Sequence, residues 1–485
     1  MARKPIKAVI FDLDDTLILS KNLEPYRRNV MHDELVDNLH NARLFPQIKA
    51  ILSGLREKDI KIGLVTNSPR LYTDTLLKHF GIFNYFDSTL CFDDVTPDIK
   101  PSPKGILRLV KDFGFEPSQC IYVGDLDSDF EAAYHARVIP VAPSWATKNP
   151  ISVAPSVVIN SDQLLKDLAN INRIQYIAEL ASNYTHFKPK SGSMYYFIPL
   201  NEDAQIVPLK KEEVSNIALG RYFSLRSPLS ATLHSEHNLS KHIFSKEEQP
   251  LFEAPDYWIE LFSFVIDKLP EWFFGNGVAF DVVAVIPSKP EKNQRLEQLL
   301  ERVAANYQEG PTFIEDLFFF NEGSKSLKTL GSKENRIQEL SVNLHFNLKY
   351  SELVREKKVL LIDDVITTGA TLARANELLQ QYCNTRAVGC CLAKTVRTSS
   401  DYVPCTECGR PMQVRRNGKT GISFYGCSGY REPIPCKKTQ PIFEKECPHC
   451  DNLLCKHFYN GKYFYGHDFK SQGRECTYSE DINND

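Results

Sequence analysis

No apolar run in the sequence approaches the roughly 18 residues of a helical membrane span. No partner in a membrane is therefore expected. A charge imbalance is also missing: 58 Lys and Arg stand against 61 Asp and Glu, a net charge of −3. That excludes a uniformly basic nucleic-acid binder but leaves room for a local basic patch. Low-complexity segments are absent. Arg3, Lys4 and Lys7 precede an apolar run, but it extends only from Ala8 to Phe11 and stops at Asp12, too short for a signal peptide. These absences predict a soluble, cytoplasmic protein. What remains is an ordinary globular balance, 42% apolar and 25% charged. At roughly 150 residues per domain, the 485 residues suggest about three domains.

The fold class expected is α/β multidomain. Residues 1–170 alternate short apolar runs (Ala8–Phe11, Ile62–Thr66, Ile121–Gly124) with helical patterns such as Gln47–Lys58 and Tyr72–His79. That rhythm predicts a parallel sheet with helices on its faces. Residues 171–275 carry no chemical motif and are read as a connecting or hood region, with a strand at Met194–Ile198 and a helix at Tyr257–Lys268. Residues 276–400 return to α/β, with strands at Val282–Ile286 and Val359–Ile362 and a helix at Leu372–Tyr382. Residues 401–445 and 446–485 form two copies of a cysteine-containing repeat.

Ligands of open α/β sheets sit at the carboxyl ends of the strands, and there the first domain is rich in chemistry. One strand ends in Asp12-Leu13-Asp14-Asp15-Thr16, the next in Thr66-Asn67-Ser68. Lys100-Pro101 opens a helical segment, and a further strand ends in Gly124-Asp125-Leu126-Asp127-Ser128-Asp129. A phosphoryl-transfer site needs a nucleophile, a proton donor, a cation for the phosphate and carboxylate oxygens for Mg²⁺. In this order the four segments resemble the motifs of the haloacid-dehalogenase (HAD) phosphohydrolases, over about residues 6–170. The resemblance implies that Asp12 is the nucleophile, forming an aspartyl-phosphate, and Asp14 the acid/base. It implies that Thr66 and Lys100 hold the phosphoryl oxygens. Asp125 and Asp129 would bind Mg²⁺ with Asp12 and the backbone carbonyl of Asp14. Few residues separate Thr16 from the helix near Gln47, which suggests an open site without a large cap.

The segment from Val359 to Leu372, VLLIDDVITTGATL, is the most specific in the chain. A buried strand leads into Asp363 and Asp364, and a short hydroxyl- and Gly-containing loop then opens a helix. Loop N–H groups and a helix N-terminus suit a phosphate, and Gly369 lets the backbone approach closely. This resembles the 5-phosphoribosyl-1-pyrophosphate (PRPP) fingerprint of type I phosphoribosyltransferases, and its surroundings resemble the competence-factor (ComF-like) branch. The resemblance implies that Asp363 and Asp364 hold the ribose hydroxyls. Thr367, Thr368, Gly369, Ala370 and Thr371 would cradle the 5′-phosphate, with PRPP as substrate. Val285–Lys289 would be the pyrophosphate loop, with Lys289 and Arg336 as candidate phosphate contacts or surface cations. The branch's Arg-Gly-Phe-Asn-Gln stretch is not recognisable; Asn293-Gln294-Arg295 is at most a remnant.

Eight of the thirteen cysteines lie between Cys405 and Cys476. Cys405, Cys408, Cys427 and Cys436 make one set; Cys447, Cys450, His467 and Cys476 make the other. The final spacer is the same in both, and Phe-Tyr-Gly precedes both Cys427 and His467. Paired Cys-x2-Cys knuckles fit two closed, structural Zn²⁺ sites in a reducing compartment better than disulfides. The repeats resemble the tandem zinc ribbons of bacterial type IA topoisomerases, which implies contact with single-stranded nucleic acid. Residues 405–445 carry eight Lys/Arg and three acids, while residues 446–485 carry four and seven, so the first repeat is the better phosphate binder. Phe424, Tyr425, Phe464 and Tyr465 either stack on bases or fill the ribbon cores. Cys455 and His457 are alternative ligands. The other cysteines read as core residues or free thiols, and Trp145, Trp258 and Trp272 as packing residues.

The combined expectation is a bifunctional enzyme. One site would hydrolyse a phosphate ester with Mg²⁺ and the other would transfer a phosphoribosyl group, with two Zn²⁺ ribbons touching nucleic acid. Two alternatives stand beside it. One is an antiphage effector of the retron type, with operon-encoded protein partners. The other is a PRPP- or nucleotide-sensing regulator on DNA.

Overall fold

The computed structural model describes residues 5–29, 31–146, 150–159, 164, 180–184, 197–207, 211–223, 233–248, 252–290, 292–324, 333–396, 405–408, 412–431, 435–441, 443–450, 453–469 and 476–482. Residues 194–196 of the strand expected at Met194–Ile198, and most of 160–196, lie outside these residues.

The first sheet is built from β1 (Ala8–Phe11), β2 (Lys61–Val65), β3 (Ser88–Leu90), β4 (Cys120–Val123), β5 (Ile139–Pro143) and β6 (Val157–Ile159). Their order is β3-β2-β1-β4-β5-β6, and every pairing is parallel. The central strands β1 and β4 are buried along their whole length, as expected for a sheet covered on both faces. Two short helices, α1 (Glu24–Asn29) and α2 (His32–Asn38), follow β1. In α3 (Ile48–Glu57), Ile48, Ile51, Leu52 and Leu55 recur at helical spacing and are all buried. Three longer helices follow in this unit, α4 (Arg70–His79), α5 (Lys104–Asp112) and α6 (Asp127–His135). The chain leaves β1 toward β2 and β3, then returns to β4 on the other side. That reversal places a crevice beyond the carboxyl ends of β1 and β4.

The second sheet departs from expectation at its start. It contains β7 (Ile198–Leu200), β8 (Asn216–Ala218), β9 (Arg221–Phe223), β10 (Val282–Val285), β11 (Thr312–Ile314), β12 (Val359–Ile366) and β13 (Ala387–Val396). The order is β11-β10-β12-β13-β8-β7, and β9 also pairs with β13. Three strands therefore come from the segment read as a connecting region. The ten-residue β13 extends well past the three-residue β8, so β8 and β9 share its outer edge. β12 also runs past Ile362, so Asp363 and Asp364 belong to a paired strand rather than to the loop beyond it. Helices α7 (Asp256–Phe274), α8 (Arg295–Ala304) and α9 (Ala370–Cys383) belong to this part of the chain.

The two sheets share apolar packing. Phe130, Tyr134 and Ala142 lie in one buried cluster with Ile198, Ile206, Val359 and Cys391. Ile151 and Ile206 exchange backbone hydrogen bonds of 2.9 and 2.8 Å. Arg221 donates to the Tyr134 hydroxyl at 2.7 Å and to Ser156 Oγ at 3.0 Å.

Two small antiparallel sheets complete the chain. One is β14 (Met412–Arg416), β15 (Ser423–Cys427) and β16 (Thr439–Pro441); the other is β17 (Phe443–Glu446), β18 (Leu453–Tyr459), β19 (Lys462–Gly466) and β20 (Ser479–Asp481). Among the described residues, no helix is long and apolar enough to cross a membrane.

Candidate functional sites

The crevice beyond β1 and β4 gathers the acidic residues singled out in the sequence. Carboxylate oxygens of Asp12, Asp125 and Asp129 all lie within 4.8 Å of one another. Lys100, 4% exposed, bridges two of them: its Nζ donates to Asp12 Oδ1 and Asp129 Oδ1, each at 2.6 Å. A third bond, at 2.8 Å, goes to the Tyr122 hydroxyl, which itself donates to the Val65 carbonyl at 2.9 Å. Burial pushes the Asp12 carboxyl up to about 7, partly offset by Lys100 and reinforced by Asp129 and Asp14. Asp125 is driven well above the usual carboxylate range by burial and by the neighbouring Asp129 and Asp12. Three crowded carboxylates facing one ammonium are short of positive charge. Their oxygen-only donor set fits Mg²⁺, with Asp12, Asp125 and Asp129 as the side chains that would hold it.

The backbone makes this convergence possible. Asp12 N–H donates to the Val123 carbonyl at 2.9 Å, tying the first loop to β4. Asn67 clamps the Lys100 backbone, donating from Nδ2 to its carbonyl at 3.0 Å and accepting from its N–H at 2.9 Å. A Cβ on Gly124 would sit 2.5 Å from Asp129 Oδ2, so only glycine leaves that carboxylate its place. Thr16 donates to Asp125 at 2.9 Å, and the Trp145 indole N–H donates to the Thr16 carbonyl at 3.0 Å. Trp145 thus braces the loop after β1 as well as packing.

Asp14 points its side chain elsewhere. Oδ1 accepts from Ser20 at 2.5 Å and Tyr72 at 2.8 Å; Oδ2 accepts from Ser68 at 2.5 Å and pairs with Arg27 at 3.0 Å. Burial works to raise this carboxyl, but Arg27 and the three hydroxyls outweigh it and hold it below the usual range. Arg27 comes from α1, so the short insert covers Asp14 where an open mouth was expected. Thr66 is buried, and its Oγ1 accepts from the Ser68 N–H at 3.1 Å. Arg27, Ser20, Tyr72 and Tyr122 escaped the sequence reading, and Asn67 and Ser68 were named there only as part of a strand end, because only the fold brings them to Asp14 and Lys100.

The second site lies at the end of β12. Asp364 is 8% exposed, and its Oδ2 accepts from Arg295 Nη2 at 2.7 Å and Nε at 3.2 Å. Asp363 Oδ1 accepts from the Asp364 N–H at 2.8 Å. Thr367 Oγ1 lies 2.9 Å from Thr395 Oγ1, and Lys394 Nζ donates to the Thr367 carbonyl at 2.7 Å. Thr368 precedes Gly369, which caps α9 with φ of +74°. Ala370 and Thr371 form the first turn of α9. A Cβ on Gly369 would lie 2.3 Å from the Glu202 carbonyl oxygen. The close approach that demands glycine is therefore made by the turn after β7, a contact no local pattern could reveal. Lys289, a candidate phosphate contact, lies over the Phe320 ring, 5.0 Å from its centroid.

At the C-terminal sheets, Cys405, Cys408, Cys427 and Cys436 converge within 4.8 Å, as do Cys447, Cys450, His467 and Cys476. Sulfur–sulfur distances are 3.5 Å for Cys405–Cys436, 3.4 Å for Cys408–Cys427 and 3.8 Å for Cys447–Cys476; Cys450 Sγ lies 3.8 Å from His467 Nε2. Zinc–sulfur bonds of about 2.3 Å in a tetrahedron give edges of about 3.8 Å, so both donor sets fit Zn²⁺. Cys455 and His457 contact each other at 3.3 Å and stand apart from these sets. Tyr425 packs on Cys405, Met412 and Cys427 in the core of the first of these sheets. The well-exposed aromatics are instead Tyr430, Phe458, Tyr459 and Phe469.

Residues 19–142 match the haloacid dehalogenase-like hydrolase family, a span that includes Thr66, Lys100, Asp125 and Asp129 but not Asp12 or Asp14. The chain is 35% identical over 136 residues to a phosphoglycolate phosphatase of Haemophilus influenzae, covering 28% of this chain and 59% of the relative. It is 32% identical over 139 residues to a phosphoglycolate phosphatase of Mannheimia succiniciproducens, covering 28% and 60%. A HAD-superfamily hydrolase structure from Ehrlichia chaffeensis aligns with a TM-score of 0.28 and 19% identity, covering 35% of this chain and all of that one. The chain thus spans about three-fifths of the length of these curated relatives. The similarity to HAD-type hydrolases is confined to the N-terminal unit.

Proposed function

We propose that the N-terminal site hydrolyses phosphate monoesters through an aspartyl-phosphate on Asp12. The observation that carries this is the convergence of Asp12, Asp125 and Asp129 around Lys100 at the sheet's reversal point. Asp12 attacks phosphorus as the ester oxygen departs, and Asp14, which takes up a proton on leaving Arg27, gives it to that oxygen. Asp14 then takes a proton from the water that attacks the phosphoryl group, releasing phosphate and Asp12. Lys100 and Thr66 offset and orient the phosphoryl oxygens. Mg²⁺, when bound, supplies further charge neutralisation. The phosphoglycolate phosphatase relatives support a small phosphorylated acid as one substrate class.

The second site is a ribosyl 5′-phosphate site, a class that includes PRPP and nucleotides. Asp363 and Asp364 in the carboxyl-terminal half of β12, with Thr367–Thr371 leading into the start of α9, support this reading. The two ribbons hold Zn²⁺ and contact single-stranded nucleic acid. Arg415 over Tyr430, 5.5 Å from the ring centroid, supports a stacking surface there.

The test is phosphate release from a panel of phosphate monoesters, with and without Mg²⁺. Asp12→Asn should lower turnover at least about a thousandfold while circular dichroism stays unchanged. Equal turnover by Asp12→Asn would remove the proposal.

A further inference from the structure

We infer that the second site takes a ribose 5′-phosphate whose C1 substituent is not a pyrophosphate, as in a nucleoside 5′-monophosphate. This rests on the ribosyl-phosphate reading of Asp363–Thr371 above. The observations lie in the loop after β10, where a pyrophosphate would have to be held.

That loop is closed on a carboxylate of the chain itself. The Ser288 N–H donates to Glu297 Oε1 at 2.6 Å. Ser288 Oγ lies 3.1 Å from Glu297 Oε2 and 2.8 Å from the Asn293 carbonyl. A pyrophosphate loop offers such N–H and hydroxyl donors to an anion. Here a fixed anion already holds them, and a multiply charged ligand would have to expel it against like-charge repulsion.

Two cations near the loop, Arg295 and Lys289, are engaged as well. Arg295, two residues before Glu297 on α8, places two nitrogens on Asp364. Lys289 sits over Phe320. The first turn of α8 therefore pins both halves of the site, with Arg295 on the ribose-binding acid and Glu297 on the Ser288 loop.

The 5′-phosphate side has a different character. The Thr367–Thr371 loop opens onto the N-terminus of the fourteen-residue α9, whose first N–H groups and dipole favour an anion. Lys394, 4% exposed, holds that loop through the Thr367 carbonyl. One phosphate has a cradle, and the position of a second is filled by Glu297.

The test is isothermal titration of the full chain with Mg²⁺, using PRPP and ribose 5-phosphate as probes. Asp12→Asn is the background, so that the first site does not consume them. Binding at the second site is the heat lost in an Asp363→Ala/Asp364→Ala variant. The expected result is a preference for PRPP of less than about tenfold, with Glu297→Gln tightening PRPP about tenfold and leaving ribose 5-phosphate unchanged. A PRPP preference well above tenfold, or no response of PRPP to Glu297→Gln, overturns the inference and leaves the ribosyl-phosphate reading standing. If neither probe shows binding that needs Asp363 and Asp364, that reading falls and the inference with it.

Discussion

At the scale of single residues, the first site is governed by how closely groups can approach. Gly124 is the clearest case. Its missing side chain is the space that Asp129 occupies, at 2.5 Å from where a Cβ would stand. Asp129 also accepts from the Leu126 N–H at 3.0 Å, so it cannot retreat without losing that bond. Gly124→Ala should displace Asp129 and weaken activation by Mg²⁺ at least about tenfold, since a ligand must be held within about 0.5 Å of its working position. A magnesium titration of phosphatase activity measures this. An unchanged half-saturation concentration would show that Asp129 is not a ligand.

At the scale of elements, two segments depend on conditions in opposite senses. The helix Asn238–Glu248 is entered through His237, whose Nδ1 accepts from the Ser240 N–H at 3.2 Å. Burial, then Arg221 and Lys241, lower the His237 pKa from 6.5 to about 3. The folded protein keeps this imidazole neutral, whereas the unfolded chain binds a proton below pH 6.5. Its contribution is therefore complete above pH 6.5 and is lost progressively as the pH falls toward 3. At pH 5 the loss is about 2 kcal/mol. Urea unfolding of the parent and His237→Gln at several pH values should show the acid slope flattening in the variant; parallel slopes would exclude His237 as the cause.

The Zn²⁺ sites proposed for the two C-terminal sheets make those sheets depend on metal. On the zinc reading, a closed four-ligand site supplies folding energy that such small sheets otherwise lack. The purified chain should contain two equivalents of zinc by elemental analysis, and Cys408→Ser and Cys450→Ser should each remove one. Loss of both equivalents in either variant would mean that the two clusters do not act as separate sites.

At the scale of the whole molecule, the first two sheets are joined by more than a linker. Phe130, Tyr134 and Ala142 pack with Ile198, Ile206 and Val359, and Arg221 reaches from β9 to Tyr134 on the helix that begins near Asp129. A shared apolar core predicts that residues 5–396 unfold in one calorimetric transition. Arg221→Ala should lower its midpoint, since a hydrogen bond from a charged group contributes about 2 kcal/mol. Two separate transitions in the parent protein would show that the shared packing is too weak to couple the units.

The sequence by itself determined the local chemistry. The Asp12, Thr66, Lys100 and Asp125–Asp129 segments, the Asp363–Thr371 loop and both Cys/His sets are all written in short stretches. Strand ends, turns and metal knuckles depend on neighbours in sequence, so their residue types and spacings can be read directly. The buried strands β1, β4, β10 and β12 were legible for the same reason. Tertiary structure alone decided what each group faces. Arg27 on Asp14, Tyr122 under Lys100, Glu297 on Ser288, Arg295 on Asp364 and the Glu202 carbonyl against Gly369 all join residues with no shared local pattern. It also decided that residues 198–223 supply strands to the second sheet, because their pairing partner, β13, lies far along the chain. Contacts of this kind follow from the packing of whole elements, whose energy comes from burying surfaces that no single stretch of sequence contains.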